Sequence, residues 1–187
     1  GMAGCRAVEE LLARDPARYR VTIFGAEPRV NYNRIMLSPV LAGEKSFDEI
    51  VINDAAWYAA NGIELIAGDP VVAIDRAAKA ITSRSGAVTQ YDRLLIATGS
   101  DPFIIPVPGK DLPGVITFRD MDDVDKMLAA AESGKAAGNG GAAVVIGGGL
   151  LGLEAANGLL RQGMHVTVVH LLDTLMERQL DKAAAGL

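Results

Sequence analysis

The stretch AAVVIGGGLLGLEAANGLLRQGMHVTVVH, residues 142–170, decides the fold. It opens with an apolar run at 142–146 and a glycine-rich loop at 147–152. A helical pattern at 153–162 then leads into a β-branched run at 165–169. Two apolar strands joined by a helix predict a parallel βαβ unit, because parallel strands need a crossover connection of this length. The stretch therefore predicts an α/β fold.

The loop carries three glycines at the G-x-G-x-x-G spacing. Gly147 permits the tight turn, Gly149 lets backbone amides reach a pyrophosphate, and Gly152 lets helix and strand pack closely. The diphosphate is expected on the free N–H groups at the start of the helix. We therefore predict a dinucleotide site; the alternative is a glycine-rich turn without a ligand.

The residue after the second strand bears on the choice of coenzyme. Sites for NAD usually place an acidic residue there, on the ribose 2′-OH. This sequence has His170, with Asp173 three residues on. A neutral imidazole can accept a hydrogen bond from the ribose, and a charged one can pair with a 2′-phosphate. We predict that His170 contacts the coenzyme, with a solvated histidine as the alternative, and leave the choice of NADH or NADPH open.

The first half of the chain repeats part of this plan. Gly1-Met2-Ala3-Gly4 matches the last four positions of the fingerprint and opens into an amphipathic helical pattern at 4–14. A strand pattern at 19–24 follows and leads to Glu27, which is placed to bind a ribose or to lie solvated in a turn. The strand expected before the fingerprint is missing, and Gly1 is either native or the remnant of an expression tag.

The remaining patterns complete a two-domain plan with a boundary between residues 107 and 108. A stiff proline-rich connector supports this boundary. We predict short helices at 33–41 and 55–60, a helix from Asp120 that breaks at 138–141, and strands at 63–66, 71–74, 80–82, 87–89 and 94–97.

Composition excludes several classes of function. The formal charge is −5 with no basic run, which disfavours nucleic acid as a partner. The single cysteine, Cys5, excludes an internal disulfide and a Cys-x-x-Cys redox pair, and is expected to be a small packed residue. We predict no metal site, no membrane span and no export signal, and therefore a cytoplasmic location.

Five segments together carry a family resemblance. They are residues 1–4, FGAE at 24–27, VNYNRIMLSPVLAGEK at 30–45, ATGS at 97–100 and GGGLLGLE at 147–154. They resemble the FAD-dependent pyridine nucleotide–disulfide oxidoreductase superfamily. Within it, the chain most resembles the N-terminal part of the NAD(P)H-dependent nitrite reductase large-subunit family, and the run VVHLLDTLMERQLD at 168–181 supports this closer resemblance. The resemblance implies two Rossmann-like three-layer units, FAD-binding at 1–107 and NAD(P)-binding at 108–187, both incomplete in a fragment.

The resemblance also implies site residues. Those for FAD are Gly1, Gly4, Glu27, Arg34, Val71, Thr98 and Gly99. NAD(P)H would lie along Gly147, Gly149 and Gly152, and Glu154 would be the catalytic residue, projecting toward the nicotinamide and the flavin. The alternatives are a surface arginine at 34 and an exposed first-turn glutamate at 154, which would suit the helix dipole.

Departures from the superfamily narrow the expected activity. Residues 33–39 contain no redox cysteine, which disfavours disulfide reduction. Pro39 follows Leu37-Ser38 where related ferredoxin reductases often have lysine, so a Lys–Glu154 pair is impossible there.

The resemblance implies transfer of hydride from NAD(P)H to FAD. Electrons would then pass to downstream redox modules or a small subunit. The resemblance implies iron–sulfur clusters and sirohaem only in parts of the parent protein that this fragment does not include. The fragment alone is expected to be inactive in nitrite reduction. The alternatives are an NADH-dependent rubredoxin or ferredoxin reductase and a non-catalytic dinucleotide-binding module that senses redox state. A homodimer is compatible with all three.

Overall fold

The structure, a computed structural model, describes residues 1–186 and divides into two compact units. The first unit contains residues 1–33 and 51–100, and the second contains residues 34–50 and those from 101 onward. Residues 34–50 thus pack with the second unit, although they precede most of the first in the chain. The domain boundary at 107 and 108 stays a prediction.

Helices and strands are mixed along the chain. In order they are α1 (Met2–Arg14), β1 (Thr22–Gly25), β2 (Asn31–Tyr32), α2 (Leu37–Leu41), α3 (Phe47–Ile50), β3 (Val51–Asn53), α4 (Ala55–Ala60), β4 (Glu64–Ala67), β5 (Val71–Asp75), β6 (Ala80–Ser83), β7 (Val88–Gln90), α5 (Met121–Ala136), β8 (Ala142–Ile146), α6 (Leu150–Arg161) and β9 (His165–Val169). Among residues 1–186, no helix has both the length and the apolar character needed to cross a bilayer.

The first unit packs α1 against a parallel strand pair. Strand β1 pairs with β4, beginning with Thr22 opposite Glu64. The apolar positions of α1 recur at helical spacing, so that Cys5 and Val8 are buried in one cluster with Tyr58 and Ile63. Strands β5, β6 and β7 form a separate antiparallel sheet, and β2 pairs with β3.

The prediction of a strand at residues 94–97 is wrong. This segment forms no ladder with any strand of the described chain, and Leu94, Leu95 and Ile96 are 41%, 64% and 64% exposed. The segment is apolar, but a strand also requires a neighbouring backbone to accept and donate its hydrogen bonds.

The second unit contains the predicted βαβ element. Strands β8 and β9 pair in parallel, with Ala142 opposite His165, and α6 connects them. The buried face of α6 includes Ala155 and Leu159. Helix α5 begins where predicted, because the Asp120 side chain accepts a hydrogen bond from the Asp123 N–H and caps the first turn.

Candidate functional site

The glycine loop joins β8 directly to α6. Gly147 has φ +118°, a conformation that favours glycine, and its N–H donates to the Val169 carbonyl at 2.8 Å. Gly149 is the residue before the helix, and the Leu153 N–H is bonded to the Gly149 carbonyl at 3.0 Å. Helix α6 thus starts at Leu150, three residues before the predicted start. The amides of residues 150–152 have no acceptor within the helix and are available to an anion.

Two glycines of the loop have opposite surroundings. A Cβ added to Gly152 would lie 2.0 Å from the Gly147 carbonyl oxygen, a distance that no side chain tolerates. A Cβ added to Gly149 would meet nothing within 4 Å. The loop is therefore closed where helix and strand meet and open at the start of the helix, an arrangement that suits a bound pyrophosphate.

His170 faces the glycine loop. Its Nδ1 accepts a hydrogen bond from the Gly148 N–H at 3.0 Å, and its Nε2 lies 3.0 Å from the Thr174 carbonyl oxygen. These partners assign the neutral tautomer with the proton on Nε2. Glu177 lies 3.4 Å from the same Nε2. Both ring nitrogens are thus engaged within the chain, an arrangement that the sequence did not reveal.

Glu154 lies one turn into α6 and is partly buried. The Ser38 hydroxyl donates to its Oε2 at 2.5 Å. This hydroxyl comes directly before Pro39, the position at which related ferredoxin reductases often have lysine. Sequence reasoning did not pair Ser38 with Glu154, because 116 residues separate them.

Ser38 belongs to a segment that packs along α6. A Cβ on Gly158 would lie 2.6 Å from Leu41 Cγ, so the glycine allows the two helices to approach closely. The Gln162 amide donates from Nε2 to the Leu41 carbonyl at 2.9 Å. Glu154, Gly158 and Gln162 are four residues apart and share one face of the helix. This spacing was the available signal for the contact face.

The first unit brings together some of the residues predicted for FAD. Gly1 precedes α1, and its carbonyl accepts from the Cys5 N–H at 3.1 Å. A Cβ on Gly4 would lie 3.3 Å from the Ala97 Cβ, so α1 closely approaches the segment before Thr98. This tight approach is compatible with the role expected of a fingerprint glycine.

Glu27 follows β1, as predicted, and is partly buried. The Tyr32 hydroxyl donates to its Oε2 at 2.5 Å, and the Gly68 N–H donates to its main-chain carbonyl at 2.9 Å. The carboxylate is therefore oriented at the end of the strand, where a ribose is bound in dinucleotide folds. Tyr32 was missed by the sequence analysis, although it lies only five residues away.

Of the other residues predicted for FAD, three are exposed in the first unit and one belongs to the second unit. Thr98 and Gly99 are exposed, and Gly99 has φ +76°. Val71 begins β5 and is 37% exposed. Arg34 lies in the second unit, where its Nη1 donates to the Arg119 carbonyl at 2.8 Å.

A buried tyrosine lies behind α1 in the first unit. The Tyr58 hydroxyl is 3.4 Å from the Cys5 Sγ. Burial is the main reason that the pKa of Tyr58 is raised well above that of a free tyrosine, and the hydrogen bond with Cys5 is the second. Cys5 is itself 2% exposed, as expected of a packed residue.

Comparison with known proteins decides the family. A family model described as pyridine nucleotide-disulphide oxidoreductase matches residues 1–187. The chain belongs to this family. The family resemblance identified from the sequence is therefore confirmed, together with the α/β fold that it implied.

The similar proteins are longer than this chain. It is 50% identical over its full length to nitrite reductase [NAD(P)H] of Bacillus subtilis (strain 168), of which it covers 22%. It is 44% identical to the assimilatory nitrate reductase electron transfer subunit of the same organism, covering 24%. Among solved structures, NADH:rubredoxin oxidoreductase from Clostridium acetobutylicum has a TM-score of 0.77 at 32% identity, over 88% of this chain and 42% of that one.

Proposed function

We propose that this chain binds FAD and NAD(P)H in an electron-input module, which takes hydride from the nicotinamide nucleotide and passes electrons onward. The observation that carries the proposal is the glycine loop, open at Gly149 and closed at Gly152, at the start of α6. Similarity to the nitrite reductase and to the electron transfer subunit supports this direction of electron flow.

In the NAD(P)H site, Gly147, Gly149 and Gly152 would form the cradle. The free amides of residues 150–152 would bind the pyrophosphate, and the positive end of the α6 dipole would add to the attraction. His170 would hold the loop through Gly148 and border the adenosine ribose. Glu154 would lie at the nicotinamide end as the catalytic residue.

The first unit contains residues that fit a flavin dinucleotide. Gly1 and Gly4 would receive its pyrophosphate at the start of α1, and Glu27, oriented by Tyr32, would accept hydrogen bonds from its ribose. Thr98, Gly99 and Val71 complete the set proposed in this unit, whereas Arg34, which the sequence also predicted for FAD, belongs to the second unit. When bound, FAD supplies the two-electron chemistry that connects a nicotinamide to one-electron acceptors.

The proposed acceptors are iron–sulfur and sirohaem modules, or a small subunit, that reduce nitrite in the cytoplasm. A second candidate is an NADH-dependent rubredoxin or ferredoxin reductase, favoured by the likeness to the clostridial enzyme. Acceptor assays on the complete gene product separate the two: reduction of nitrite supports the first, and turnover with rubredoxin alone supports the second. Light scattering tests for a homodimer.

The flavin proposal is tested by anaerobic titration of the complete gene product with NADH and NADPH. Loss of the flavin absorbance bands on addition of either nucleotide supports it. A protein that binds flavin but is not reduced by either would instead favour a non-catalytic binding module.

A further inference from the structure

The contact between Ser38 and Glu154 assigns a role to a residue outside the glycine loop. We propose that Ser38 is a positioning residue, whose hydroxyl orients the Glu154 carboxylate toward the nicotinamide of bound NAD(P)H. This inference rests on the proposed function, because it presumes that the nucleotide lies along α6. It adds a residue that the G-x-G-x-x-G motif does not contain.

The hydrogen bond has the geometry of a strong charge-assisted contact. The Ser38 hydroxyl lies 2.5 Å from Glu154 Oε2, and both side chains are partly buried. An unrestrained glutamate samples many rotamers, whereas one held by a short hydroxyl bond is restricted in its last torsions. The hydroxyl bonds one of the two carboxylate oxygens, and a carboxylate has acceptor capacity for further hydrogen bonds.

Ser38 is itself held in place by the packing of α2 on α6. Gly158 admits Leu41 at close range, and Gln162 bonds the Leu41 carbonyl at 2.9 Å. Further along, Arg161 pairs with Glu44 at 2.9 Å. These contacts hold the C-terminal end of α2 and the residues just after it against α6, and Ser38 lies one turn before Leu41 in the same helix.

The packing also explains why a small hydroxyl residue occupies this position. Pro39 follows Ser38 inside α2, and the Leu37 and Val40 side chains are buried. Ser38 is thus the residue of this turn that is only partly buried and carries a donor. A neutral donor orients the carboxylate without cancelling its charge, whereas a lysine would pair with it and neutralise it.

The inference is tested on the complete gene product with Ser38→Ala, Ser38→Thr and the matched control Ser133→Ala. Ser133 lies exposed on α5, and within residues 1–186 its hydroxyl donates to the Ala129 carbonyl of its own helix. Two quantities are measured: the affinity of the flavin-free protein for NADH and for ADP-ribose, and the rate at which NADH bleaches the flavin of the loaded protein. ADP-ribose lacks the nicotinamide, so it reports on the cradle alone.

We expect Ser38→Ala to weaken NADH binding and to slow bleaching by about tenfold, with the ADP-ribose affinity unchanged. Ser38→Thr should restore both to within about twofold, because it keeps the hydroxyl, and Ser133→Ala should resemble the wild type. Ser38→Cys has a similar volume but a weaker donor and should behave like Ser38→Ala. It replaces Ser38→Ala in the experiment if the alanine variant does not fold.

Three results would overturn the inference alone: wild-type behaviour of Ser38→Ala, equal loss of NADH and ADP-ribose affinity, or no recovery in Ser38→Thr. A wild-type protein that binds neither nucleotide would overturn the proposed function, and this inference with it.

Discussion

Gly152 packs so closely on Gly147 that a Cβ at residue 152 would lie 2.0 Å from the Gly147 carbonyl oxygen. Because that oxygen belongs to the backbone, Gly152→Ala must displace the loop or the start of α6. Overpacking of this kind costs about 1–3 kcal/mol, which at about 4 °C per kcal/mol for a unit of this size corresponds to a fall in melting temperature of about 4–12 °C. Thermal denaturation measures the shift, and an unchanged melting temperature would show that the loop is not closed at this point.

Gly149→Ala should have the opposite signature. Its backbone has φ −81° and ψ −179°, which alanine adopts freely, and the added methyl would meet no protein atom within 4 Å. The melting temperature should therefore stay the same. A methyl in the approach path of the pyrophosphate should weaken NADH binding by about tenfold, or ~1.4 kcal/mol. Wild-type affinity in a fluorescence titration would mean that the ligand does not use this space.

His170→Ala should destabilise the second unit through Gly148. This glycine is buried, and its N–H would lose the acceptor now 3.0 Å away. An unsatisfied buried donor costs about 1–3 kcal/mol. The control is His165→Ala, because His165 is exposed on β9. Chemical denaturation should show a clear fall in the free energy of unfolding for His170→Ala but not for His165→Ala. Equal effects would mean that the bond from Gly148 to His170 does not stabilise the loop.

Glu27 should govern flavin retention in the first unit. Glu27→Ala removes the carboxylate that Tyr32 orients, and flavin affinity should fall by about tenfold. Tyr32→Phe should cause a smaller loss, because the carboxylate remains but is less restrained. Glu64→Ala, in an exposed residue of β4, is the control. Bound flavin per protein, read from absorbance, measures the effect; equal retention in Glu27→Ala and the control would place the ribose elsewhere.

The raised pKa of Tyr58 predicts a loss of stability in alkali. The folded state keeps the phenol proton at pH values where the unfolded chain has lost it. The contribution of Tyr58 to the free energy of unfolding is therefore complete below about pH 10, the pKa of free tyrosine. This contribution declines as the pH rises further. Urea denaturation at about pH 9 and about pH 11 should show this decline in the wild type and in Tyr19→Phe, whose tyrosine is 39% exposed. The decline should be smaller in Tyr58→Phe, and a decline as large as in the wild type would contradict the assignment.

The sequence predicted those features that depend on local pattern. The glycine spacing and the two apolar runs located β8, the loop and β9, and Asp120 correctly located the start of α5. The start of α6 was placed too late, because glycines at 149 and 152 looked like loop, whereas Gly152 is already helical.

Long-range contacts could not be obtained in this way. Ser38 contacts Glu154 across 116 residues of sequence. Residues 94–97 pair with no strand among the described residues, and a local sequence pattern does not specify which strand would pair with them. The packing of residues 34–50 with the second unit has the same origin, since it depends on which helix Leu41 meets. His170 was singled out for its position in the sequence, but its bond to Gly148 depends on how the following loop folds.

The central claim is that this chain binds two dinucleotides through main-chain amides at the starts of α1 and α6. The most direct measurement is the visible spectrum of the complete gene product before and after anaerobic addition of NADH. We predict flavin bands in the purified protein that disappear on addition of the nucleotide. A colourless protein with no affinity for FAD, NADH or NADPH would contradict the claim.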